Sequence, residues 1–190
     1  MYMYTLFIDT HSEVITIGLC DGNNVIEKTK TSVESHSVYL VPMLKELLEE
    51  SKVSFSDIKN IVAVNGPGSF TGIRIGLSVA KAISYSLNKP IFLVSSLTAM
   101  LVSNTDNEDK LAVIPDNKGY YVSVFDKDNN VIIEEHYRDN IDNLMKKYKN
   151  VNTPLNIKAV IDYVLKGESV SVFSVKANYV KSIEVMNDRK

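Results

Sequence analysis

At 190 residues, 45% hydrophobic and 23% charged, the chain is long enough to bury a sizeable core in one domain or two small lobes. Its composition excludes a disordered or fibrous protein. A net charge of −2 offers no bulk attraction for nucleic acid, so if the chain serves RNA, a partner does the holding.

The N-terminus, MYMYTLFIDT, lacks a basic segment, and its apolar run stops at Asp9, which excludes a signal peptide of ordinary form. No apolar run approaches the ~20 residues of a membrane helix, so a cytoplasmic location is expected. Three strands open the pattern. Residues 2–9 are apolar and aromatic, Val14–Cys20 alternates, and Val25–Thr31 is β-branched. Asp21-Gly22-Asn23-Asn24 tolerates positive φ and closes the last two into a hairpin. Cys20, the one cysteine, reads as a buried strand-end residue, and a reducing compartment fits its isolation.

A helix over about 37–51 follows, with Val41, Leu44, Leu47 and Leu48 on one stripe and Pro42 either kinking it or lying near its first turn. Ser54-Phe55-Ser56-Asp57 has capping-box form. Ile61–Val64 is a continuous apolar run, as in strands buried on both faces. A second helix spans about 71–87 and stops before Pro90, Ile91–Val94 is another buried strand, and 96–104 is a short helix. The order βββαβαβα predicts a mixed sheet with helices on its faces.

Polar Thr105–Lys110 marks the boundary, giving a first unit over 1–104 and a smaller one over 105–190. Strands are expected at 111–114, 120–125 and 131–136, helices at 141–148 and 155–165, a strand-like segment at 170–185, and a frayed tail at 187–190. The second half thus resembles a reduced repeat of the first.

Between strand 61–64 and helix 71–87 runs Asn65-Gly66-Pro67-Gly68-Ser69-Phe70-Thr71-Gly72-Ile73-Arg74-Ile75-Gly76. Gly66 and Gly68 permit positive φ, and Thr71 or Ser69 can cap the helix. A glycine-rich turn at a helix N-terminus suits an anion. It lacks the Gly-Lys-Ser/Thr of a Walker loop, and Thr71 stands where the dinucleotide fingerprint has its third glycine. On the helix, Gly72, Gly76, Ala80 and Ser84 recur every four residues and form a small-residue ridge that admits a close neighbour, internal or intermolecular. Apolar Ile73, Ile75, Leu77, Val79, Ile83 and Leu87 around the rest tilt the reading toward an interface.

Asp9-Thr10 ends the first strand, where a carboxylate either meets a metal–phosphate complex or forms an Asx turn. Asp116 has the same two readings. His11, His36 and His136 form no helix-face pair, no GxSxG elbow is present, and Lys146-Lys147-Tyr148-Lys149 reads as a solvated helix end. No metal site and no catalytic residue are expected.

Taken together, GPGSFTGIRIG, Asp9-Thr10 and His36-Ser37…Pro42 closely resemble the TsaB (YeaZ) family. The likeness continues at Pro115–Val122, where Asp116-Asn117-Lys118 replaces an Asp-Ala-Arg-like turn. It returns at 177–181, where Ala177 and Lys181 replace the family's Pro and Arg. The resemblance implies an α/β, actin-like and sugar-kinase-like (ASKHA) fold of two lobes with mixed sheets, the second reduced. It implies a non-catalytic subunit for threonylcarbamoyl transfer to the tRNA adenosine beside the anticodon, pairing with the transferase TsaD and recruiting the ATPase TsaE. TsaD carries a metal-binding histidine pair on a helix, which this chain lacks.

Joined to the ridge, the resemblance places partner contacts at Gly72, Ile73, Gly76, Val79, Ala80, Ile83, His36, Tyr39 and Leu40. It leaves Asp9, Thr10, Gly66, Pro67, Gly68, Ser69, Phe70, Thr71 and Arg74 as a candidate nucleotide or anion loop. ATP or ADP would then sit only at the TsaD interface, tRNA would be met only through the complex, and the chain alone would form a homodimer. An actin-like ATPase or phosphotransferase acting alone is the alternative. A peptidase rests only on older labels of the wider family.

Overall fold

The computed structural model describes residues 3–31, 36–151 and 153–180. Strands β1 (Tyr4–Asp9), β2 (Val14–Cys20) and β3 (Val25–Thr31) form the expected antiparallel meander, with Asp21 accepting from the amides of Asn23 and Asn24 at its turn. After helix α1 (His36–Ser51), the carboxylate of Asp57 accepts from the Ser54 amide at 2.9 Å around a 3-10 turn. Strand β4 (Ile58–Val64), helix α2 (Phe70–Leu87) and strand β5 (Ile91–Val94) complete the first layer. β1, β4 and β5 run parallel, and the sheet order is β3-β2-β1-β4-β5. The antiparallel β3-β2-β1 meander beside a parallel β1-β4-β5 trio makes the mixed sheet that the element order predicts.

The central strands are buried on both faces because side chains alternate. Leu6, Ile8, Ile61 and Ala63 face α1 and α2, whereas Phe7, Val62, Val64 and Phe92 face the opposite side. That second face is covered by α3 (Ser96–Ser103) and α5 (Ile157–Val164), the latter arriving from the second half of the chain with Ile157, Val160 and Ile161 buried. Pro42 lies inside α1, on its exposed side, so the helix loses one amide donor without a break.

The second sheet has the order β8-β7-β6-β9, from β6 (Lys110–Asp116), β7 (Gly119–Phe125), β8 (Val131–Arg138) and β9 (Lys149–Asn150). A small core of Leu111, Val122, Val124, Leu144 and Tyr148 sits between it and α4 (Asp142–Lys147).

Two expectations change. Lys110, read as the end of a polar linker, is 1% exposed and starts β6, its Nζ donating to the Asn104 carbonyl at 3.0 Å and to Asn129 Oδ1 at 2.8 Å. The strand expected at 170–185 is, through residue 180, one bridge from Val170 to Ile91, a 3-10 turn at Val172–Ser174, and a strap with no sheet partner. Its remaining residues, the tail at 187–190 and the first residue of the opening strand lie outside the described residues. Among the described residues, no helix is long and apolar enough to cross a membrane.

Candidate partner interface and glycine-rich loop

The loop after β4 is held by its neighbours. Asn65 donates to the Val94 carbonyl at 2.9 Å, the Gly66 carbonyl accepts from the Ser96 amide at 2.9 Å, and the Pro67 carbonyl accepts from the Ser96 hydroxyl. Gly66–Pro67 is cis, and Gly68 has φ +148°, where a Cβ would overlap the His11 carbonyl oxygen. The Ser69 amide donates to that same carbonyl at 2.7 Å. Ser69 caps α2, its hydroxyl accepting from the Gly72 amide at 3.2 Å and its carbonyl from the Ile73 amide at 2.9 Å. Thr71, the other candidate cap, lies exposed within the first turn because α2 begins at Phe70. The amides of Ser69, Gly72 and Ile73, which a phosphate would seek, therefore donate inside the chain.

At the end of β1, the Asp9 carboxylate is buried and accepts from the His11 amide at 2.9 Å, an Asx turn. It also lies 2.8 Å from His11 Nδ1. Burial pulls the His11 pKa down, but the Asp9 charge and hydrogen bond outweigh it, so the net value lies above the ordinary 6.5. A raised folded-state pKa means the pair stabilises fully below about 6.5 and loses that contribution as pH rises through the folded value. Thermal unfolding of the wild type is therefore expected to lose stability as pH rises above about 6.5, and His11→Gln to flatten that slope. Identical slopes in both proteins would refute the coupling.

Thr10 is fully buried between β1 and α2, donating to the Gly72 carbonyl at 2.8 Å. The small-residue ridge exists to admit it. A Cβ at Gly72 would overlap the Thr10 carbonyl oxygen, and one at Gly76 would overlap Thr10 Oγ1. The ridge faces inward, so the expectation that it packs on a partner helix is corrected: Gly72, Ile73, Gly76 and Ala80 are buried, as are His36 and Leu40 on α1. Val79, Ile83 and Tyr39 are half-buried against the same core.

What α1 and α2 expose is their other side. Val38, Val41 and Phe70 are 55%, 55% and 54% exposed, and Val41 and Phe70 flank an open groove of about 420 Å³ whose floor includes Leu40, Ile75 and Val79. At its mouth, the Arg74 guanidinium lies 3.7 Å from the Phe70 ring centroid and donates from Nε to the Tyr179 hydroxyl at 3.0 Å. Tyr179 belongs to the strap, which also seats Val175 and Ala177 on the first core and stacks Phe173 edge-on against Tyr85.

The strap is tied down by a carboxylate. Glu135 of β8 accepts from Asn178 Nδ2 at 2.9 Å, from Thr98 Oγ1 at 3.2 Å and from the Ser95 hydroxyl, while the Asn178 amide donates to the Asn65 carbonyl at 2.7 Å. Ser95 is the N-cap of α3, so Glu135 occupies the place an anion would take there. Glu135→Ala strands three donors and is expected to cost about 1–3 kcal/mol and to speed proteolysis of the strap. Unchanged cleavage would show that the carboxylate does not hold it. Among the described residues, no group of three or more His, Cys, Asp or Glu could hold a metal ion, and Asp116 stands exposed at the β6–β7 hairpin.

A family model described as "TsaD: tRNA N6-adenosine threonylcarbamoyltransferase" matches residues 24–186. The tRNA threonylcarbamoyladenosine biosynthesis protein TsaB of Buchnera aphidicola subsp. Baizongia pistaciae is 37% identical over 117 residues, 60% of this chain and 53% of that protein. The chain belongs to the family that this model describes, and the resemblance to TsaB holds among its curated relatives. The namesake of Buchnera aphidicola subsp. Acyrthosiphon pisum aligns more fully, at 26% identity over 92% of this chain and 81% of its own length. YeaZ from Pseudomonas aeruginosa shares the fold, with a TM-score of 0.79 at 19% identity over 93% of this chain and 99% of that one. Most curated relatives are longer, and the chain spans about half their length.

The candidate loop residues Asp9, Thr10, Gly66, Pro67, Gly68, Ser69, Phe70, Thr71 and Arg74 all gather where β1 and β4 meet α2. Their polar groups divide: those of Asp9, Thr10 and Ser69 bond inward, whereas Phe70, Thr71 and Arg74 turn to solvent. Sequence reasoning missed Val38, Tyr179 and Glu135. Val38 carried a signal, lying one helical turn from Val41 and Pro42; the other two act across more than 35 residues of chain, a separation at which pattern is silent.

Proposed function

We propose that this chain is the non-catalytic subunit of a tRNA threonylcarbamoyladenosine-forming complex, docking a TsaD-type transferase through the exposed side of α1 and α2. One observation carries the reading: Val38, Val41 and Phe70 stand in solvent on two helices whose opposite sides build the core. An exposed apolar groove rimmed by polar groups is the kind of surface on which protein partners dock. The names of the relatives supply the pathway, and family membership supplies the partner's class. Loop amides that donate within the chain, and an Asp9 carboxylate bonded to His11, favour docking over phosphate chemistry. In this account the same face forms a homodimer when the transferase is absent, a TsaE-type ATPase and any ATP or ADP join only the assembled pair, and tRNA is met through the complex.

Reconstitution tests it. A TsaD-type transferase with a TsaE-type ATPase should modify tRNA only when this chain is added. Equal modification without it would refute the subunit role, and tight binding of ATP and magnesium to the isolated chain would favour a self-sufficient ATPase instead.

A further inference from the structure

We infer that the partner helix seated on the α1/α2 groove carries an aspartate or glutamate at its rim, received by Arg74. This deepens the proposed function and rests on it. Arg74 is exposed, yet its guanidinium is not loose: the Phe70 ring lies 3.7 Å from Cζ and the Tyr179 hydroxyl takes Nε at 3.0 Å. Phe70 and Tyr179 are themselves in ring contact, with centroids 5.7 Å apart. Two aromatic rings from different parts of the chain thus fix one cation in place.

The Nη groups of Arg74 remain, and among the described residues no carboxylate forms an ion pair with them. A planar fork held in a set direction matches a carboxylate with two parallel hydrogen bonds. The acids of α1 are engaged with other lysines: Glu46 and Glu50 pair with Lys28, and Glu49 with Lys45. The groove beside Arg74 is apolar, with Val41, Ile75 and Val79 along it. That surface accepts the side of a helix and offers a phosphate backbone no second cation. An apolar stripe edged by one acidic residue is the complementary surface.

Ordering the cation beforehand lowers the entropy lost on docking. The strap therefore contributes to recognition through Tyr179, which makes the glycine-loop helix and the C-terminal segment one surface.

The full chain should be titrated into the TsaD-type transferase of its own organism at low and at moderate salt. Arg74→Gln is expected to weaken binding on the order of 10- to 100-fold and to flatten its salt dependence. Arg74→Lys should recover part of the loss, because a point charge does not fork, and Tyr179→Phe should fall between wild type and Arg74→Gln. Circular dichroism melts of all three should match the wild type, since none of these side chains is core. Wild-type binding with an Arg74→Gln variant that binds equally well, at the same salt slope, overturns this inference alone. So does a defect confined to self-association or to tRNA binding. A wild type that does not bind the transferase overturns the subunit reading, and this inference with it.

Discussion

Gly76→Leu is expected to destabilise the fold severely, so a loss of partner binding in that variant will report on folding and not on an interface. Even a single Cβ at position 76 would overlap Thr10 Oγ1 and press on Thr10 Cβ and Cγ2 at 3.3 and 3.4 Å. Thr10 cannot step aside. It is fully buried, its hydroxyl is engaged with the Gly72 carbonyl at 2.8 Å, and it directly follows β1, the central strand of the first sheet. Overpacking a well-filled core costs about 1–3 kcal/mol. A leucine adds three further carbons beyond the Cβ, so at least about 3 kcal/mol is expected, a large share of a typical domain's stability. Gly72→Ala should be nearly as harmful, because its Cβ would overlap the Thr10 carbonyl oxygen, which is backbone. Ser78→Leu, one position on from the buried Leu77 but exposed, should stay within about 0.5 kcal/mol. Urea unfolding of the three variants checks this directly. A Gly76→Leu midpoint equal to the wild type would mean that the ridge is not packed on β1.

The opposite pattern is expected on the outer side of the same helices. Phe70→Asp combined with Val41→Asp should leave the melting temperature near that of the wild type, because both residues are more than half exposed. Binding to the transferase should fall by about 2 kcal/mol or more, roughly 30-fold, as for aromatic anchors at interface centres. Self-association should fall in parallel if the homodimer uses this face. Sedimentation gives both from one series. A variant that melts early would place Phe70 in the fold; one that binds as before would remove the groove from the interface.

The fold was legible in the sequence wherever pattern is local. Hairpin chemistry at Asp21–Asn24, the Ser54/Asp57 cap and the runs Ile61–Val64 and Ile91–Val94 all lead to elements that the structure contains. Spacing every four residues found the ridge of α2, but periodicity alone gives no direction, and only the position of Thr10 shows that the ridge points inward. β9 was missed because two residues, Lys149 and Asn150, carry no strand signal; their parallel register with Lys110 and Leu111 makes the strand. Lys110 was misplaced for a related reason. A lysine beside acids reads as linker, whereas here its ammonium is buried against a carbonyl and an amide oxygen, and burial holds its pKa below the usual lysine value. The strap looked like a strand since Val170, Val172 and Val175 are β-branched. Its hold comes instead from Glu135, the Asn65 carbonyl and aromatic contacts, all distant in the chain.

Two sides of one helix pair thus carry different duties. The inner side closes on Thr10 and the sheet; the outer side, with Phe70, Arg74 and the strap's Tyr179, is the one proposed to receive another molecule.

Hydroxyl-radical footprinting of the chain alone and in complex with the TsaD-type transferase tests that division most directly. Protection on complex formation is expected at Phe70, Val41 and Tyr179, with Val131 and Ile132 at the start of β8 staying as accessible as before. Protection of Val131 and Ile132 with Phe70 still open to attack would contradict it.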